Sequence, residues 1–204
     1  MTDVKEIKVQ TKEWANPTPA GLAALAVACI CFFAMFMGYV DVGKALPLLG
    51  CWLIGGFVIQ ITVAFLDLKG GNYTGGNTFL FFSAFFMLAT GMGMFCKFFF
   101  GGDVSANIEG WAWLILTLVL VLWTPAFFKP FGILSLIVVA LDIAIPIVAL
   151  RDLGVLSGNL LEFLTLVAAV MLLIAALLAV YLSAAMVVNK AFGREIYPVI
   201  KPKN

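Results

Sequence analysis

Leu164-Thr165-Leu166-Val167-Ala168-Ala169-Val170-Met171-Leu172-Leu173-Ile174-Ala175-Ala176-Leu177-Leu178-Ala179-Val180 contains no charged residue and sits inside a longer apolar run from Leu160 to Val188. Crossing a hydrocarbon core of about 30 Å takes roughly 20 apolar residues at 1.5 Å per residue, so this run is long enough to span a bilayer. Working outward, further runs occur at Gly21–Val40, Leu46–Leu66, Phe79–Phe100, Trp111–Phe128 and Phe131–Leu150. They are continuous rather than alternating, which excludes a closed β-barrel. The reading is an all-α integral membrane protein, a bundle of six transmembrane helices.

The composition agrees. Of 204 residues, 64% are hydrophobic and 11% charged, and a mean hydropathy of +1.13 leaves too little polar surface to cover a soluble globule. The net charge of +1 gives no reason to expect nucleic acid as a partner. Met1–Ala15 mixes Lys5, Lys8 and Lys12 with Asp3, Glu6 and Glu13 and has no apolar core of a signal peptide. The expected organisation is therefore a cytoplasmic segment at 1–15, a membrane domain at 16–190 and a cytoplasmic segment at 191–204. With six spans both termini share a side. Placing them inside puts Lys5, Lys8, Lys12, Lys69, Lys129, Lys190, Arg194, Lys201 and Lys203 there and only Lys44, Lys97 and Arg151 outside, an asymmetry that predicts N-in, C-in topology. Trp14, Trp52, Trp111 and Trp113 fall near predicted span ends, where indoles favour the interface.

Several chemistries drop out. The chain has no histidine, which removes the commonest zinc ligand and the usual haem ligand. Cys29, Cys31, Cys51 and Cys96 lack metal-binding spacing and are expected to be small buried hydrophobes. No nucleophile has a recognisable base, so an enzyme is not expected; neither is a cofactor or a metal.

Polar residues inside the apolar runs are the candidates for function. Asp142 sits near the middle of the fifth span, where a charge costs at least a few kcal/mol. It reads either as a proton-sensitive acid beside a permeation route or as a carboxyl bonded to a neighbouring helix. Pro146, four residues on, cannot donate to the carbonyl of Asp142. Between spans two and three, Gly70-Gly71-Asn72-Tyr73-Thr74-Gly75-Gly76-Asn77-Thr78 leads into an apolar helix that Asn77 or Thr78 can cap. Asn16-Pro17-Thr18-Pro19 similarly opens the first span, with Asn16 as cap and prolines tolerated in a first turn. Two helix starts with free amide donors could thus face one pore. The Phe-rich stretches Phe79–Phe86 and Phe95–Phe100 are expected to face lipid or a neighbouring subunit rather than line a gate. Ala168, Ala169, Ala175, Ala176 and Ala179 predict a close helix contact.

Asn16-Pro17-Thr18-Pro19-Ala20-Gly21-Leu22, Gly76-Asn77-Thr78-Phe79 and Phe192-Gly193-Arg194 with Pro198 resemble motifs of the acetate uptake transporter family, the succinate–acetate permease group. Gly55-Gly56 with Gln60, and Tyr181 and Asn189 ahead of Phe192, are further points of similarity. The resemblance implies a plasma-membrane protein with a path through each protomer of a hexameric ring for small monocarboxylic acids, proton-linked or channel-like. Carried over by position, Asn16, Pro17, Pro19, Gly21, Leu22, Gln60, Asn77, Thr78, Phe79 and Tyr181 belong to the substrate pathway. Phe192, Gly193 and Arg194 form a cytoplasmic seal. Leu25 stands where the family has an aromatic constriction, nine residues after the first motif Asn. Met87 stands where a tyrosine follows the second Asn by ten residues, and Met186 where an acid is common. The late first span, Phe32 to Gly38, lacks the family's Asn and His. Such a lining is drier and favours a protonated acid over a free anion. Alternatives are a channel for another small neutral or weakly polar solute, and a non-transporting membrane sensor or assembly subunit.

Overall fold

A computed structural model describes residues 14–101, 107–129 and 132–200. Six helices are long and apolar enough to cross a membrane: α1 Thr18–Phe36, α2 Val42–Lys69, α3 Tyr73–Phe100, α4 Ile108–Phe128, α5 Ile133–Asp152 and α6 Gly158–Phe192. The chain is a multi-pass membrane protein. Residues 1–13, nearly all of the predicted N-terminal segment, and 201–204, the last four of the predicted C-terminal one, lie outside the described residues.

Local chemistry sets the helix ends. The Asn16 side chain accepts the Thr18 N–H at 3.0 Å, and Pro19 occupies the first turn of α1, where its missing donor costs nothing. Asp41 caps α2 by accepting the Lys44 N–H at 3.4 Å. The turn between α4 and α5 is pinned by Ser135, whose hydroxyl donates to the Phe127 carbonyl at 2.6 Å and accepts the Gly132 N–H. At 35 residues α6 is about 52 Å long, longer than the hydrocarbon core, and it stops at Gly193, which takes the left-handed conformation (φ 64°).

One boundary differs from expectation. α3 starts at Tyr73, six residues before Phe79, and its cap is Asn72, whose side chain accepts the Gly75 N–H at 3.1 Å. Asn77 and Thr78 instead bond back to the Tyr73 and Thr74 carbonyls of their own helix, at 2.8 and 2.9 Å. The first turns of α3 are polar and glycine-rich, so hydropathy hides them. Midway, Ser83–Ala89 winds as a π-helix, with the Thr90 hydroxyl donating to the Phe85 carbonyl at 3.2 Å. This wider turn resets the face that α3 presents beyond it.

Neighbours in the bundle follow the order α3, α2, α1, α6, α5, α4, and a lighter contact between α4 and α3 closes the ring. The predicted alanine stripe lies buried on α6, where small side chains let α6 approach α1 and α5 closely. The expectation for the cysteines holds for Cys29, which is buried; Cys51 and Cys96 face outward. Both are on helix faces pointing away from the ring, where apolar side chains meet lipid or protein rather than the bundle interior.

Candidate functional site

The starts of α1 and α3 meet at one end of the ring around a residue that the sequence did not single out. Asp67, only 3% exposed, accepts the Thr18 hydroxyl at 3.2 and 3.3 Å and the Asn72 side-chain amide at 3.1 Å. Its carboxylate thus bridges the first turn of one helix and the cap of another. Both helix N-termini carry positive partial charge, which compensates a buried acid. From sequence Asp67 reads as an ordinary span-end charge beside Lys69; only the fold shows that it is enclosed. Asp67→Ala would strand the buried Thr18 hydroxyl and take away the partner of the Asn72 amide at the cavity mouth. We expect a loss of about 2 kcal/mol, measurable as a lowered thermal midpoint in detergent.

From this mouth a cavity of about 110 Å³ runs inward, with Thr18, Asn72, Gly75 and Thr78 at its polar end. Its walls are Leu22, Leu25, Phe32 and Phe36 of α1, Phe79, Phe82 and Phe86 of α3, Leu120 and Phe127 of α4, Leu141 and Ile145 of α5 and Leu172 of α6. No charged side chain is part of the lining among the described residues. Gln60 is the exception to the dry middle. It is 2% exposed, and its Nε2 donates to the Gly21 carbonyl at 3.3 Å. Its Oε1 has no partner among the described residues. Gly21 makes this possible: a Cβ there would fall 2.7 Å from the Phe79 ring, so only glycine lets Phe79 lie directly on α1.

Three sequence expectations change here. Phe79, Phe82 and Phe86 line the cavity rather than face lipid, because α3 turns that face into the ring. Trp113 is buried against Phe86, ring centres 5.8 Å apart, instead of lying at the interface. Met87 is fully buried against Gly56, with its sulfur 3.0 Å from where a Cβ would stand, and is not part of the lining. Leu25 does line the cavity, as do Leu22, Gln60, Thr78 and Phe79. Asn16, Pro17 and Pro19 shape the start of α1, and Asn77 stays on the outer side of α3.

At the opposite end a wider vestibule of about 490 Å³ is lined by Lys97, Glu109, Arg151 and Asp152 together with Thr90, Val42 and Met94. Lys97 and Glu109 form an ion pair. Phe32, Phe36, Trp113 and Val148 belong to both spaces, so a mostly aromatic partition separates them.

The remaining candidates lie elsewhere. Asp142 accepts the Thr124 hydroxyl at 2.7 Å in the contact between α4 and α5, and it is not among the cavity-lining residues. This is the geometry of the second of its two readings, a carboxyl bonded to a neighbouring helix. Asp142→Asn, which keeps an acceptor for Thr124, is expected to leave both flux and its pH profile unchanged when assayed in vesicles. Tyr181 donates to the Pro198 carbonyl at 2.7 Å, and Asn189 accepts the Ile196 and Tyr197 N–H groups at 2.7 and 2.9 Å. These bonds fold the tail back along α6. Phe192 is 66% exposed, and Gly193 and Arg194 are exposed beside it, away from the cavity lining. Ser183 links α6 to the cavity end of α1 by donating to the Pro19 carbonyl at 2.8 Å.

No family model and no curated protein matches the sequence. Among solved structures the chain is similar to the bacterial acetate channel SatP, at a TM-score of 0.79 and 22% identity over 92% of this chain and 99% of that one. The likeness shows that the two share an all-α fold of membrane-crossing helices.

Proposed function

We propose that this protein carries small monocarboxylic acids of the acetate class across the membrane, as a member of the acetate uptake transporter family, and that the undissociated acid is the species that crosses. The observation that carries the reading is the cavity: about 110 Å³, apolar, and without a charged side chain in its lining. At about 30 Å³ per water it admits roughly three or four water-sized groups, the size of a two-carbon acid. An ion without hydration or a counter-charge pays a heavy desolvation cost in such a space, whereas the neutral acid pays that of one hydroxyl and one carbonyl. The unpartnered Oε1 of Gln60 is an acceptor placed for the acid's O–H. The fold shared with an acetate channel supports the same substrate class.

In this reading the cavity mouth at Thr18 and Asn72 opens to the cytoplasm and the charged vestibule to the outside, in keeping with the N-in, C-in distribution of basic residues. Plasma-membrane residence and a hexameric ring accompany the family assignment. Vesicles containing the protein should take up labelled acetate, formate or propionate faster than protein-free vesicles at the same pH. Equal initial rates across that panel would overturn the reading.

A further inference from the structure

We propose that Arg151 is a carboxylate-capture site in the vestibule, with the Phe36 ring as its floor. The inference rests on the transport reading for its role, but the binding it asserts can be tested without transport. Arg151 lies in the last turn of α5 and its guanidinium sits 4.6 Å from the centre of the Phe36 ring. Stacking on an aromatic face fixes the plane of the guanidinium while leaving its edge donors unspent. Among the described residues Arg151 makes no ion pair and no side-chain hydrogen bond.

The other charges of the vestibule define what it can bind. Lys97 is committed to Glu109, each about a quarter exposed, so that pair contributes little net field. Asp152 follows Arg151 in the helix, and the Arg151 and Lys97 charges both act on its carboxylate through space, but no ion pair joins it to the guanidinium among the described residues. Among the described residues, Arg151 is thus the vestibule cation that makes no ion pair. Its planar fork matches a carboxylate through two parallel N–H···O bonds. Asp152, beside Arg151, disfavours a ligand with a second negative charge, which points to monocarboxylates.

Phe36 gives the site a direction. The same ring lines the apolar cavity behind it, so a carboxylate held at Arg151 places a short alkyl tail against Phe36, Trp113 and Val148. A formate or acetate ion would be caught there, take a proton from bulk water, and pass the aromatic partition as the neutral acid. No bond other than O–H forms in that sequence.

The test titrates sodium acetate into the detergent-solubilised full chain and follows line broadening of the acetate methyl resonance, alongside uptake kinetics in vesicles. Wild type should broaden the signal saturably, with formate competing. Arg151→Gln should abolish the broadening and raise the half-saturation concentration for uptake at least tenfold with the maximal rate largely kept. Arg151→Lys, a point charge without the fork, should recover only part of the affinity. Phe36→Leu keeps the cation but removes its plate and should weaken binding severalfold, which covers the case in which Arg151→Gln fails to fold. Wild-type broadening without any vesicle uptake would sink the transport reading and leave the capture site standing. Broadening in Arg151→Gln equal to wild type, or Arg151→Lys indistinguishable from wild type in both assays, would overturn the proposal.

Discussion

Leu25→Trp abolishes uptake of short carboxylic acids, by more than tenfold, in a protein that stays folded and monodisperse. Leu25 lines the cavity on α1, one turn beyond Leu22 and on the helix face that carries Thr18, Phe32 and Phe36. The space it borders is about 110 Å³, and an indole in place of an isobutyl group fills much of it. A side chain that enters a void replaces empty volume with contacts rather than compressing a packed core, so the stability cost is small. Overpacking would arise only if the indole turned toward α2. Initial uptake in vesicles, with size-exclusion elution as the folding control, checks the expectation. Wild-type flux through this variant would mean that the permeant does not use the cavity.

Gly110→Val is expected to prevent the bundle from assembling. Gly110 lies in the first turn of α4, where an added Cβ would meet the Leu153 nitrogen at 2.4 Å and the Asp152 carbonyl carbon at 2.7 Å. Those are backbone atoms at the C-terminal end of α5, and they cannot rotate away as a side-chain tip can. A β-branched side chain must push the two segments apart, at a cost of about 3 kcal/mol or more, a large share of a typical folding free energy. The damage also reaches function, because Glu109 next door holds Lys97 and Asp152 lines the vestibule. Gly55→Ala is the matched control: a Cβ there meets nothing within 4 Å, and alanine favours the helix by up to about 1 kcal/mol. Thermal midpoints in detergent should fall steeply for Gly110→Val and hold or rise for Gly55→Ala. Equal midpoints for the two would show that the close approach of α4 to Leu153 is not needed.

The number and order of spans could be read from the sequence because each is an unbroken apolar run, and burial in lipid depends on the run rather than on its partners. The site was less legible, for three physical reasons. First, the start of α3 is polar and glycine-rich, so hydropathy points to a cap at Asn77 or Thr78 and hides the one at Asn72. Second, hydropathy gives the cost of a charge but not its partners. Hydropathy singles out Asp142, one of whose oxygens takes the Thr124 hydroxyl on the adjacent helix while the other has no partner among the described residues, and passes over Asp67, at a span end, which Thr18 and Asn72 enclose. Third, an all-round apolar helix carries no sign of which face turns inward. Phe79, Phe82, Phe86 and Trp113 could therefore be placed in the cavity only once the ring of helices and the π-helical turn at Ser83–Ala89 were known. Leu22, Leu25, Gln60 and Thr78 were reached through the motif resemblance, and the fold brings them to one space.

If the neutral acid crosses a dry cavity, flux follows the undissociated concentration and not total acetate. Initial uptake of labelled acetate should be measured at two external pH values, well below half-saturation, with Leu25→Trp vesicles as the baseline for passive leak. Total acetate is adjusted so that the undissociated concentration is the same at both. Capture of the anion followed by protonation gives a rate proportional to the product of anion and proton concentrations, which is the undissociated concentration times a constant. The predicted result is equal protein-dependent flux at the two pH values. Flux that instead rises in proportion to total acetate at the higher pH would mean that the free anion is conducted, and would contradict the account.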